Sequence, residues 1–146
     1  MAKKENRKNA EDYVNFMVST TDRPYLSIKA IRGIGFKPMN ILDKPKVWSS
    51  TVKISKGYTL PTRKNSALCE MLVIHGNGEY ATGEIFETGD YIRETKGEYD
   101  LIQAKSDVEL FITNHGATTF YGEDGEQLWK IDPDTISMLM NREVTE

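Results

Sequence analysis

The chain of 146 residues contains one cysteine and two histidines. It has no apolar run near the ~20 residues that a membrane-spanning helix needs. A lone Cys69 excludes an internal disulfide and fits a reducing compartment. The basic start, Met-Ala-Lys-Lys-Glu-Asn-Arg-Lys, has no apolar segment behind it and does not read as a secretory signal. A cytoplasmic protein without a membrane partner is therefore expected. Basic charge is also in short supply: 19 Lys and Arg stand against 22 Asp and Glu, for a net charge of -3. Phosphate backbones need a basic face, so nucleic acid is not the expected partner. Internal repeats and low-complexity stretches are absent as well.

What is present is enough for one packed core, with 38% hydrophobic and 10% aromatic residues. Short β-rich runs follow one another from Tyr25: 25–31, 36–41, 47–54, 70–75, 79–86, 91–94, 101–104, 108–113, 118–121 and 127–131. Turn residues separate them, among them Asp43/Pro45, Gly76-Asn77-Gly78, Gly89-Asp90, Lys96-Gly97 and Asn114-His115-Gly116. Val108, Leu110 and Ile112 alternate with Glu109, Phe111 and Thr113, the period of a strand with one buried face. Asn9 can cap a short helix carrying Tyr13, Phe16 and Met17, closed before Pro24. Asp132-Pro133 opens a last helix with Ile136, Leu139 and Met140 inward. The expected organisation is a tail and short helix over residues 1–24 and one all-β domain with a C-terminal helix over residues 25–146.

Two segments carry more information than the strand count. The first places Gly57, five residues, Arg63-Lys64-Asn65, four residues, Glu70 and then Gly76. The second places Gly89, five residues, Thr95-Lys96-Gly97, two residues and Asp100. Together they resemble the motifs of the cupin superfamily (RmlC-like), Gly-x5-His-x-His-x3–4-Glu leading to a Gly, then Gly-x5-Pro-x-Gly-x2-His. Gly57, Glu70, Gly76, Gly89 and Gly97 fall at family positions, while Arg63, Asn65 and Asp100 replace the histidines and Thr95 the proline. Leu60-Pro61 and the Gly89-Asp90-Tyr91 turn are similar to one branch, which holds acetylacetone- and dihydroxyacetophenone-cleaving dioxygenases and anti-sigma-factor cupin domains. The resemblance spans roughly residues 33–131.

It implies a small antiparallel β-barrel or jelly roll, paired as a homodimer. Residues two apart on a strand share a face, so residues 63 and 65 point together and Lys64 points away. In a cupin barrel the shared direction is the interior, where Glu70 and the residue at 100 converge. The expected ligand-binding set is thus Arg63, Asn65, Glu70 and Asp100. A guanidinium offers no lone pair and repels cations, so no metal and no cofactor are expected there. Arg63 flanked by two carboxylates would form an internal ion pair and favour a small anionic ligand such as a carboxylate. By parity with Glu70, Cys69 should face away from the pocket, and His75 should lie on the face opposite Glu70. His115 belongs to an exposed turn.

Two other readings stay open. One is a diketone- or aryl-ketone-cleaving dioxygenase holding Fe(II) or another divalent metal through an unconventional set that recruits His75 or His115. The other is a metal-independent isomerase or lyase working through Tyr58, Tyr91, Tyr99 and Asp100. Trp48, Phe86, Phe111, Phe120 and Trp129 are expected in the core or at a dimer contact.

Overall fold

A computed structural model describes residues 8–9, 17, 19–21 and 23–145. Most of the expected N-terminal helix, including Tyr13 and Phe16, lies outside the described residues, and Lys8–Asn9 forms a short strand. The elements in chain order are β1 (Lys8–Asn9), β2 (Leu26–Ser27), a 3-10 turn (Lys29–Ile31), β3 (Ile34–Lys44), β4 (Val47–Ile54), β5 (Thr59–Leu60), β6 (Thr62–Asn65), β7 (Cys69–His75) and β8 (Asn77–Tyr80). They continue with β9 (Ile85–Glu87), β10 (Tyr91–Glu94), β11 (Gly97–Tyr99), β12 (Ile102–Ala104), β13 (Val108–Asn114), β14 (Thr118–Tyr121), β15 (Gln127–Ile131) and α1 (Pro133–Thr145).

A seven-stranded sheet runs β1-β3-β4-β13-β7-β10, with β2 also on β3. Two four-stranded sheets, β11-β6-β14-β15 and β5-β12-β8-β9, complete the fold. Among the described residues all pairings are antiparallel except β1 with β3. This is the all-β jelly-roll arrangement that the cupin resemblance implies.

Alternation explains which side chains fill the core. On β4, Trp48, Ser50, Val52 and Ile54 are buried between less buried neighbours, and on β13 the same holds for Val108, Leu110, Ile112 and Asn114. Trp48, Phe86 and Phe120 are core residues and Trp129 packs against the core, whereas Phe111 faces outward. The final helix begins as expected. Asp132 Oδ1 accepts from the Thr135 amide at 2.9 Å, which caps it, and Ile136 and Leu139 are buried.

Two expected strands are broken in the structure. Residues 25–31 make only the short β2 and a 3-10 turn. Residues 79–86 fold back on themselves, because the Gly83 amide donates to Tyr80 O and the Tyr80 amide to Glu84 O, both at 2.8 Å. Thr82-Gly83 is the turn signal inside that run.

A buried arginine at the candidate site

β6 alternates as its motif requires. Arg63 and Asn65 are buried, at 5% and 1% exposure, and Lys64 is exposed. Arg63 lies between cross-strand partners Tyr99 on β11 and Phe120 on β14; Asn65 lies between Gly97 and Thr118. Their inward side chains meet Glu94, which is 2% exposed and ends β10.

Glu94 organises the cluster. Its Oε2 accepts from Arg63 Nη2 in a short ion pair and from the Tyr80 hydroxyl at 2.8 Å, and its Oε1 accepts from Asn65 Nδ2 at 3.0 Å. Arg63 Nη1 donates to the Asp100 carbonyl at 3.2 Å. The guanidinium carbon lies 5.9 Å from the Tyr80 ring centroid and 5.7 Å from that of Tyr99, within cation–π range. The chain of bonds then runs inward. Thr118 Oγ1 donates to Asn65 Oδ1 at 2.7 Å, Asn114 Nδ2 donates to Thr118 Oγ1 at 2.9 Å, and the Gly116 amide donates to Asn114 Oδ1 at 2.9 Å. A buried charge is tolerable only when paired and hydrogen-bonded, and this network supplies both.

The surroundings shift two groups. Burial, and then the neighbouring Glu94 charge, raises the Tyr80 hydroxyl well above the ordinary tyrosine range, so it stays a donor. Burial pushes the Cys69 thiol up to about 12, with Glu94 adding to the effect.

Three expectations about individual residues are corrected. Glu70 does not enter the interior. Cys69, Met71 and Val73 are the inward residues of β7, and Glu70 lies on the opposite, outer face. There it accepts from the Tyr91 hydroxyl at 2.5 Å and stands 3.6 Å from His115 Nε2. Cys69 therefore faces inward and lines the central cavity. The side chain of Asp100 is also outside, where it accepts from the Leu101 amide at 2.8 Å. Only its backbone carbonyl reaches Arg63. The ion pair expected with Glu70 and Asp100 is made with Glu94 instead.

The histidines do not come together in the interior, while of the tyrosines Tyr91 and Tyr99 border one open cleft with Asp100. His75 is exposed on the same side as Glu70, because the pairing of β7 with β13 shifts register between Glu109 and Leu110. His115 is an exposed turn residue. Tyr91 is tied to Glu70, Tyr99 donates to the Thr95 carbonyl at 2.9 Å, and Tyr58 packs against Gly33.

Glu94, Tyr80, Asn114 and Thr118 are members of the cluster that the motif does not contain. Two had a signal. The alternation of β13, carried one step past Ile112, puts Asn114 inside. Likewise the motif's shorter spacing, three residues after Asn65, falls on Cys69 rather than Glu70.

The inner space is small. A cavity of about 60 Å³ is lined mostly by apolar side chains, with Arg63, Asn65, Cys69, Glu94, Asn114 and Thr118 as its polar members. Outside the ion pair lie two open clefts. One of about 710 Å³ is bordered by Arg63, Tyr99, Asp100 and Tyr121; the other, of about 610 Å³, by Tyr80, Phe86, Tyr91, Glu94 and Tyr99. Arg63 and Glu94 thus separate the inner cavity from the clefts.

As a metal site the donor set fits poorly. Arg63 is a cation, the Asn65 oxygen is already an acceptor, and both Glu94 oxygens are bonded. Among the described residues no group of three or more His, Cys, Asp or Glu side chains is placed to hold an ion. No described helix is long and apolar enough to cross a membrane.

Comparison with known proteins places these features. The sequence profile of a family described as the ChrR cupin-like domain matches residues 14–119. No curated protein sequence matches the chain. Among solved structures, an RmlC-like cupin protein from Ralstonia eutropha superposes with a TM-score of 0.80 at 12% identity, covering 93% of this chain and 91% of the other. A cupin-like protein of unknown function from the same organism gives 0.75 at 21% identity, with 88% and 84% covered. An acetylacetone dioxygenase from Acinetobacter johnsonii gives 0.69 at 16% identity, with 95% and 98% covered. Likeness at these identities concerns the fold.

Proposed function

The chain belongs to the family of ChrR cupin-like domains, and on that premise we propose that it is a small-molecule-binding cupin whose site works without a metal. One observation carries the reading. Arg63, where the cupin pattern has its first histidine, is held in a buried ion pair with Glu94. A guanidinium fixed there places a permanent positive charge where a cation would have to sit. The surrounding donors and acceptors are already matched to each other, so the cluster is complete without an ion.

The ligand sits against the outer side of the pair, in the clefts beside Tyr80 and Tyr99. These are within the ~300–1,000 Å³ typical of ligand sites, and the inner cavity is well below it. An anionic ligand requires an unneutralised guanidinium, but Glu94 already balances Arg63. The proposed ligand is therefore uncharged, with a planar part to stack on the tyrosine rings and a polar group to reach Arg63.

Elemental analysis of tag-free protein prepared without chelators tests the metal claim. Iron, nickel, manganese and zinc should each be well below one per chain, also after incubation with Fe(II) or Zn²⁺. A value near one per chain overturns it and makes the dioxygenase reading, carried by fold likeness to the acetylacetone enzyme, the better one. Titration with paired small aromatic amides and carboxylates, followed by NMR at Tyr80 and Tyr99, tests the ligand class. Amides should bind; carboxylate binding alone would reverse the assignment.

A further inference from the structure

The space between the sheets is not wholly filled by the side chains that point into it. Protein interiors are close-packed, with few voids larger than one water, and a void left empty costs stability. The central cavity holds about 60 Å³, whereas one water needs roughly 10–15 Å³. Every residue lining it is buried and lies on a strand, where backbone groups pair in ladders. Its walls are mainly aliphatic and aromatic, from Val52 and Met71 in the large sheet to Leu60 and Phe120 in the smaller ones. The polar members are bonded already. Asn65 joins Glu94 and Thr118, Thr118 joins Asn114, Asn114 accepts from the Gly116 amide, and Arg63 holds Glu94. Cys69 adds a thiol that burial keeps neutral, and a neutral thiol packs as a small apolar group. A water inside needs about two to four polar partners, and here each candidate already makes a bond for which the water would compete.

We propose that this cavity is a binding site for a small apolar molecule, a diatomic gas or a hydrocarbon of about two or three carbons, seated against the inner side of the Arg63–Glu94 pair. Volume sets the size of the guest. An apolar cavity of about 150 Å³ stays dry and takes benzene or xenon, so this smaller one has no room for a six-membered ring. The lining sets its class. An apolar guest gains dispersion contacts with the walls and breaks none of the bonds among the polar members, whereas a hydroxyl would have to compete with them. The site goes beyond the ligand proposed for the clefts and is separate from it. Arg63 borders both the cavity and the larger cleft, and Glu94 both the cavity and the smaller one, so the ion pair is the wall between the two sites.

Methyl NMR of the full chain under increasing pressures of xenon, and then of ethane, tests this. The methyls of Val52, Met71 and Ile112, which line the cavity, should shift along saturable curves with both gases. Those of Ile136, buried away from the cavity, and of the exposed Ile85 should stay in place. Methanol, close to ethane in size but polar, should leave the lining methyls unmoved, and so should benzene. Cys69→Leu puts apolar volume into the space and should weaken xenon binding by roughly fivefold or more, with the fold checked by circular dichroism. Val52→Ile adds only a methylene, is the safer variant for folding, and should weaken binding to a lesser degree. Unmoved lining methyls under xenon, equal shifts with methanol or benzene, nuclear Overhauser contacts from water to the Met71 methyl, or folded variants that bind xenon as the wild type does each overturn the proposal.

Discussion

Arg63 and Glu94 are almost free of solvent, so removing either leaves the other as a lone buried charge. Glu94→Ala should lower stability by ~3–5 kcal/mol, read from the shift of the urea midpoint. Arg63→Met with Glu94→Leu should recover most of that loss, because an apolar pair of similar volume often replaces a buried ion pair at little cost. A loss in the double variant equal to the sum of the single losses would contradict this coupling. Cys69 makes a different prediction. Its burial and its thiol pushed up to about 12 should keep it unreactive towards disulfide reagents at pH 8 in the folded protein, with full reaction after unfolding. Glu70 and Tyr91 supply a pH window. The Tyr91 hydroxyl bond holds the Glu70 carboxyl below its ordinary range, while the same bond raises Tyr91. The lowered acid contributes stability above its unfolded value and loses it as pH falls through the folded one; the raised phenol contributes below its unfolded value and loses it as pH rises through the folded one. The bond should thus act between acid and alkaline limits. In an NMR titration Tyr91→Phe should move the Glu70 midpoint upward, and an unmoved midpoint would deny the bond its role.

At the scale of elements, β7 and the turn after it decide which residues face the core. Gly76 has φ +100, and a Cβ there would stand 2.3 Å from the Asp107 carbonyl oxygen. Gly57 has φ +85 with open space around it. Gly76→Ala should therefore destabilise by ~2 kcal/mol or more, combining backbone strain with a clash against backbone. Gly57→Ala should show only the ~1 kcal/mol of a left-handed conformation. Equal losses in thermal unfolding would mean that the clash relaxes freely. The strands themselves were legible where turn residues bracket a short β-rich run: residues 47–54, 91–94, 118–121 and 127–131 form strands with those bounds. Legibility failed where a turn sits inside an apolar run, as at Thr82-Gly83. It failed again on β7, where the longer motif spacing was counted to Glu70 and one residue of slip exchanges the two faces of a strand.

For the whole molecule, side chains from both layers meet around one cavity. Ile34, Trp48, Met71 and Ile112 come from the large sheet; Leu60, Phe120 and Ile131 come from the smaller ones. No subset of strands can bury that core alone. Equilibrium unfolding should therefore be a single transition, with fluorescence of the buried Trp48 and far-UV circular dichroism coinciding; separated transitions would mean independent layers. The sequence by itself determined what depends on near neighbours: the all-β class, most strand positions, the cap at Asp132, and Arg63 and Asn65 on a shared face of their strand. These follow from a period of two and from turn chemistry, both written within a few residues. Only the tertiary structure decided that Glu94, 31 residues from Arg63 along the chain, is its counter-ion. That choice depends on which strands converge. A carboxylate carries no local mark of its partner, and Glu70, Glu94 and Asp100 become distinguishable only when pairing sends one of them inward and leaves the other two in water.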